Sequence, residues 1–284
     1  MTGAHKADGE RNGLGLYAYC VLLDPEDLYP GMVGMDRSPV YVVAHRRLGM
    51  AVSRAPLKDF APERVKAMLQ DLAWVEPRVR RHEEVVEEIM RHRPVVPIRF
   101  GTLYLDETGV LNFLGEHEGE LSESLQDLTG KQEWNVRVFV AKEGLRAALE
   151  RGSERLRPMN REMEAKPPGQ AYFLRKKKEL VLAEEMDRRV RQWEAEFVGR
   201  LRSVAEEVVL NTPNLRKSTD GGEEMVLNAA FLVANDRLGE FRHALEGLSA
   251  RYGDEGCSFH SSGPWPPYHF SPRLSSPSLQ ERRA

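Results

Sequence analysis

His82, Glu83 and Glu84 are the first residues whose types and spacing could carry chemistry. A histidine followed by glutamate opens the H-E-x-x-H helix of zinc peptidases, where the second histidine one turn on completes the metal site. Position 86 is Val86, so the pattern stops short of a metal. Gly13-Leu-Gly15-Leu-Tyr-Ala18 fits a relaxed dinucleotide fingerprint in letters only. That fingerprint must follow a strand and open a helix, so that a helix N-terminus meets the pyrophosphate. Here the glycines precede and enter a strand. Gly130-Lys131 lacks the rest of a phosphate-binding loop, with Leu125 and Gln132 at the outer positions, and no G-x-S-x-G elbow occurs. Cys20 lies in an apolar run, the setting of an inert buried thiol. Cys257 has no base beside it in sequence. His92, His117, His243, His260 and His269 are scattered and read as surface or capping residues.

The elements that would position these groups are legible from periodicity. Leu14 to Leu23 is uncharged and rich in β-formers, a buried strand that Asp24-Pro25 ends. Pro39 to Ala44 and Arg47 to Arg54 are further strand candidates. Pro62 to His92 is a long helical stretch with an apolar stripe at steps of three and four, which Pro77 is expected to kink or interrupt. Pro94 to Leu105 holds a short strand split by Pro97, which belongs at an edge, a bulge or a strand start. Thr108 to Leu128 is helical. Glu133 to Ala141 alternates, with Trp134, Val136, Val138 and Val140 on one face.

Lys142 to Lys166 is largely helical, and a longer helix is expected from Gln170 to Leu210. Its stripe runs Leu174, Leu182, Met186, Val190, Trp193, Phe197, Leu201, Val204 and Val208. At 1.5 Å per residue such a helix spans about 60 Å, more than a compact domain, so it should bend, break or protrude. Met225 to Ala234 is a buried strand, Asn235 the N-cap of a helix from Arg237 to Tyr252, and Ser258 to Ser262 the last strand. Gly263-Pro-Trp-Pro-Pro-Tyr268 is a proline-stiffened segment. Its two aromatics either fold back over a sheet or form a preorganised docking surface.

Composition bounds the function class. The 284 residues predict about two domains. With 41 Lys+Arg against 44 Asp+Glu, the net charge of −3 offers no global drive toward nucleic acid. Arg175-Lys176-Lys177-Lys178 is a local basic run, but positions 170–210 hold nine basic and eight acidic residues. Two cysteines build neither a disulfide framework nor a thiolate zinc site, and a reducing setting is the simpler reading. The longest apolar run is about half the roughly 20 residues that a membrane span needs. The expected organisation is a disordered leader (1–13), an N-terminal α+β domain (14–130), a C-terminal α+β domain with long helices (131–270) and a flexible tail (271–284). On residues alone, this is a cytosolic binding or scaffold protein rather than an enzyme.

Six segments, in order, resemble the gas vesicle protein GvpF/GvpL family. They are Leu16-Tyr-Ala-Tyr19; His82-Glu83-Glu84-Val85-Val86 with Pro94-Val-Val-Pro-Ile-Arg-Phe-Gly-Thr102; Leu128-Thr-Gly-Lys-Gln-Glu-Trp134; Pro168-Gly-Gln-Ala-Tyr-Phe-Leu-Arg175; Asn228-Ala-Ala-Phe-Leu-Val233; and Gly263-Pro-Trp-Pro-Pro-Tyr268. The resemblance covers roughly residues 14 to 270 and does not separate the F type from the L type. It implies an α+β fold of two ferredoxin-like or modified ferredoxin-like domains, with a long helical segment and an extended C-terminal tail. It also implies a non-enzymatic accessory protein of gas vesicle assembly, located at the gas vesicle in the cytoplasm and needing no cofactor or metal. Its partners would be the main shell protein GvpA and other Gvp proteins, with no nucleic acid and no membrane span.

Trp193, Phe197, Trp265 and Tyr268 are the candidate partner-binding residues. Glu83, Arg99, Phe100, Gly101 and Trp134 are expected to maintain the fold: Gly101 allows a bend after the strand, Arg99 pairs with Glu83 or Glu84, and Trp134 joins a core. The alternative is a ferredoxin-like enzyme with a small-ligand pocket around His82, Glu83 and Arg99.

Overall fold

Ten successive residues with no charge can lie in a sheet only if both faces of the strand are covered. In the computed structural model, which describes residues 13–25, 31–59, 71–211 and 222–274, Leu14–Leu23 is the strand β1, buried along almost its whole length. The chain divides into two compact units, residues 1–131 with 265–284, and residues 132–264. The main segments of the two units meet between Lys131 and Gln132. The segment from Trp265 on, expected to end the second domain, is grouped with the first unit. Most of the expected leader, the start of the helix at Pro62, much of the loop after Leu210 and the end of the tail lie outside the described residues.

In the first unit, β1 is joined by β2 (Val40–His45), β3 (Leu48–Pro56), β4 (Val95–Pro97) and β5 (Leu103–Tyr104). The sheet order is β2-β3-β1-β4, with β5 also on β1, and the pairings are antiparallel. Pro97 ends β4 at the sheet's edge, where its missing N–H costs no ladder bond. Helix α1 (Leu72–Met90) contributes His82, Val85, Val86 and Ile89 as its buried face. Its N-cap is Asp71, whose carboxylate accepts from the Ala73 and Trp74 amides. Pro77 sits inside the helix without dividing it. Helices α2 (Glu107–Glu116) and α3 (Glu118–Asp127) replace the single expected helix, meeting at His117.

The pairing of β1 with β3 shifts between Ala18 and Cys20, a bulge at Tyr19. A bulge changes which alternate residues face one side. Tyr17 and Tyr19 precede the shift, Cys20 and Leu22 follow it, and all four enter one core cluster with Val85, Val86 and Ile89 of α1.

The second unit takes up β6 (Lys131–Ala141), α4 (Lys142–Gly152), α5 (Arg157–Glu164), α6 (Pro168–Arg202), β7 (Glu207–Leu210), β8 (Glu223–Ala234), α7 (Leu238–Tyr252) and β9 (Cys257–Trp265). Its sheet order is β7-β8-β6-β9. The inward face of β6, Val136, Val138 and Val140, packs with Trp193, Phe197 and Leu201 of α6, with Phe231 of β8 and with Phe241 of α7.

Two expectations are corrected here. The long helix ends at Arg202, so Val204 lies in a turn and Val208 in β7. Steps of three and four do not distinguish a helix tail from the start of a strand, and the β-branched pair Val208-Val209 favours the strand. The remaining 35 residues still span about 52 Å. Asn235 does not cap the following helix: it begins a short 3₁₀ turn, Asn235–Arg237, and no side chain caps α7.

Candidate functional site

The side chains of His82 and Glu83, adjacent on α1, meet a phenol from the far end of the sequence. The His82 Nε2 and the Glu83 Oε1 each lie 3.0 Å from the Tyr268 hydroxyl. The Nδ1 of His82 lies 3.0 Å from the Tyr17 hydroxyl. That hydroxyl accepts from the Gly101 amide at 3.1 Å.

Several local features of the sequence bring these groups together. Tyr17 points into the core because β1 alternates up to its bulge. Gly101 sits at φ +86°, left-handed backbone that favours glycine, and thereby turns its N–H toward Tyr17. Arg99 closes the same turn with its carbonyl, which accepts from the Thr102 amide at 3.2 Å and the Thr102 hydroxyl at 2.8 Å. Pro266 and Pro267 are buried, and the turn after them is tied by Tyr268 N–H to the Pro266 carbonyl at 2.7 Å. Phe100 and Tyr17 place ring edges against His82, with centroids 5.9 and 5.6 Å away. Tyr19 stacks on it at 5.6 Å. Tyr19 is itself fixed by Ser53, 2.7 Å away, and by the Met35 amide at 2.6 Å.

The proton order follows from counting hydrogens. Glu83 as a carboxylate only accepts, so Tyr268 spends its single hydrogen there. Nε2 of His82 must then donate to Tyr268, which leaves Nδ1 to accept from Tyr17. One direction runs through the set: Gly101 N–H to Tyr17, Tyr17 to His82, His82 to Tyr268, Tyr268 to Glu83. It requires a neutral imidazole. Burial supplies one, lowering the His82 pKa to about 4 against the lesser opposing effect of a hydrogen bond with the Ile98 backbone. Burial also pushes both phenols up, Tyr268 with the added effect of the Glu83 charge. The Glu83 carboxyl is raised by burial first, with Tyr268 opposing and Glu87 adding to it.

This arrangement holds a chain segment in place. His82 is fully buried and both ring nitrogens are engaged, so it offers no free base to a substrate. The expected ion pair of Arg99 with Glu83 or Glu84 does not form. Arg99 is exposed, Glu83 is taken by Tyr268, and Glu84 pairs with Arg81 at 2.9 Å. A groove of about 580 Å³ in the second unit, lined by Glu196, Arg200, His243 and Arg251 among others, involves none of these residues. Among the described residues, no group of three or more His, Cys, Asp or Glu is placed to hold a metal.

The structure separates the other candidate residues. Trp193 and Phe197 are 1% and 0% exposed. They stack at 6.5 Å and pack against Tyr252, so as core residues they present no surface to a partner. Trp265 is 41% exposed, whereas Tyr268 three residues on is drawn inward. Trp134 is part of the second unit, packed on its core, with the Arg242 guanidinium 5.5 Å from its ring centre. Gly263 allows β9 to approach there: a Cβ would lie 2.9 Å from the Glu133 carbonyl oxygen and 3.1 Å from the Trp134 ring.

Sequence reasoning missed the roles of Tyr17 and Tyr19. Two tyrosines in a wholly buried strand were the available signal, because a buried phenol needs a hydrogen-bond partner. It also missed that Tyr172, Phe173 and Leu180 on α6 are exposed.

The chain matches the family model described as "Gas vesicle synthesis protein GvpL/GvpF" over residues 15–272. It is 25% identical over 262 residues to a gas vesicle protein L of Streptomyces sp. (strain CB03234), covering 90% of this chain and 92% of the relative. It is 26% identical over 245 residues to a gas vesicle protein F of Dolichospermum flosaquae, covering 84% and 90%. The crystal structure of gas vesicle protein GvpF from Anabaena sp. PCC7120 superposes with a TM-score of 0.70 at 23% identity, covering 92% of this chain and 99% of that one. GvpF from Microcystis aeruginosa gives 0.62 at 22%, covering 90% and 98%. Both likenesses show the same mixed α/β fold.

Proposed function

Since the chain belongs to the GvpL/GvpF family of gas vesicle proteins, we propose that it is an accessory component of gas vesicle assembly. In this reading it binds the main shell protein GvpA and other Gvp proteins during nucleation or wall formation, at the gas vesicle in the cytoplasm. The observation that carries the reading is the family match over residues 15–272, nearly the whole chain. A shell subunit with a large apolar face is an aggregation hazard until it is built into a wall. A helper that covers such a face needs exposed apolar and aromatic side chains on a rigid support.

The C-terminal segment supports this. Tyr268 anchors it through His82 and Glu83, and Trp265 stands 41% exposed beside the anchor. We also read the second unit as ferredoxin-like. Its chain order β6-helices-β7-β8-α7-β9 and sheet order β7-β8-β6-β9 agree with that pattern. The first unit repeats the sheet order with β2-β3-β1-β4.

Co-expression with GvpA, followed by capture of the intact chain, tests the proposal. Retention of GvpA by the native chain, reduced in Trp265→Ala, is the expected result. No retention by the native, folded chain would overturn the shell-binding role.

A further inference from the structure

The segment that follows β9 is grouped with the first unit and fastened to α1 by a side chain. The amides of Tyr268 and Phe270 bond to the carbonyls of Pro266 and Pro267, 2.7 and 3.2 Å away. The Ser271 hydroxyl donates to the Pro267 carbonyl at 2.7 Å. These bonds lie inside the segment and travel with it. The Tyr268 hydroxyl reaches out of it, to His82 and Glu83. On its other nitrogen the same imidazole meets Tyr17, which holds the Gly101 amide. Gly101 belongs to the turn that the Arg99 carbonyl closes on Thr102. Each end of this run of bonds lies next to a solvent-facing side chain, Trp265 at one and Arg99 at the other.

One ring thus stands between a terminal segment and a surface turn. A neutral imidazole has one hydrogen for two nitrogens, which gives it two discrete arrangements. With Tyr268 seated, the hydrogen lies on Nε2 and Nδ1 accepts from Tyr17. With the phenol withdrawn, Nε2–H loses its acceptor on a side chain that is fully buried, and a buried donor without a partner is costly. Moving the hydrogen to Nδ1 removes that cost. Nδ1 then no longer accepts, so Tyr17 must turn its hydroxyl away from the ring. The bond from Gly101 is lost with that rotation.

We propose that residues 265–271 are a strap whose seating is coupled, through the ring hydrogen of His82, to the turn at Arg99–Thr102. The turn is fixed while the strap is down and loosens when it lifts. Coupling of this kind needs an element with two arrangements that both ends bias, and the imidazole is that element. The coupling is reciprocal: whatever holds the turn holds the strap, by the same factor. The device does not rest on the shell-binding reading of Trp265, and its test needs no gas vesicle protein.

Nuclear magnetic resonance of the intact chain provides that test, on the native protein, Tyr17→Phe, Tyr268→Phe and the double variant. In the native chain at pH 7, the nitrogen shifts of the His82 ring should show hydrogen on Nε2 and a bare Nδ1. In Tyr268→Phe they should show it on Nδ1. Amide exchange at Gly101 should then run about tenfold faster, while the amides of β1 change less. In Tyr17→Phe the amides of Tyr268 and Phe270 should accelerate by about the same factor. Adding Tyr268→Phe to Tyr17→Phe should not speed Gly101 further. Leu125→Ala empties a buried site of the same unit without touching the strap or the ring, and should accelerate Gly101 and β1 alike. Hydrogen on Nδ1 in the native chain would overturn the proposal without any variant. Equal acceleration of Gly101 and β1 in Tyr268→Phe would overturn it in favour of a general loss of stability. Strap amides unmoved in Tyr17→Phe, or a further tenfold at Gly101 in the double variant, would show that the two ends are independent.

Discussion

The Tyr268 hydroxyl lies 3.0 Å from Nε2 of His82, a residue 186 positions earlier in the chain. Through this bond the segment that follows the second unit is part of the first. The same hydroxyl donates to Glu83, so one oxygen atom satisfies a buried donor and a half-buried carboxylate together.

Tyr268→Phe should therefore destabilise the protein by about 1–3 kcal/mol, since it leaves the His82 N–H without its phenol acceptor. The expected observation is a lower urea midpoint with an unchanged slope. An unaltered midpoint would show that the bond contributes nothing.

His82 sets a pH dependence whose sign is fixed by the direction of its shift. The folded pKa is about 4, below the ordinary 6.5, so the unfolded chain takes up the proton first. The stabilisation is complete above pH 6.5 and is lost as pH falls from there toward 4. The full loss is about 3 kcal/mol. Glu83, whose folded pKa is raised, acts in the opposite sense, losing stability as pH rises through its folded value. The measurement is thus a difference: the stability of the native chain minus that of His82→Gln, followed from pH 7 to 5, should shrink. A constant difference would refute the neutral imidazole.

Gly101→Ala forces an L side chain into backbone at φ +86°, although nothing lies within 4 Å of the added methyl. Strain alone should cost about 1–2 kcal/mol. Gly119→Ala, in helix α3 with equally open space around it, should cost nothing and serves as the control.

Phe197 and Trp265 separate core from surface. Phe197→Ala empties a fully buried site and should cost about 3–5 kcal/mol. Trp265→Ala, at a site 41% exposed, should cost clearly less. Thermal unfolding of the two variants distinguishes them, and equal losses would contradict the assigned burial.

Ending the chain after Pro264 removes the tail's contribution to the first unit. Hydrogen exchange should then accelerate at the amides of β1 and α1 while those of β6 and β8 stay protected. Uniform acceleration in both units would show instead that the tail stabilises the whole chain.

By itself the sequence determined the elements and their faces. Uncharged Leu14–Leu23 had to be a strand covered on both sides, and alternation placed Val136, Val138 and Val140 together. Six short segments sufficed for the family, because their order along the chain carries the specificity that none has alone. Tertiary structure decided what covers each face. Trp193 and Phe197 lie on an apolar stripe whether that stripe meets a core or a partner, and only packing against Tyr252 and Phe259 made them core. Helical spacing continued past Arg202, yet Val208 pairs with Phe231 in a sheet. His82 and Glu83, in sequence, left a small-ligand pocket open as the alternative; in the structure a tyrosine from the chain's far end occupies their polar atoms. The reason is physical. Periodicity reports the local preference of a side chain for apolar surroundings, whereas a hydrogen bond across 186 residues depends on the path of the chain between them.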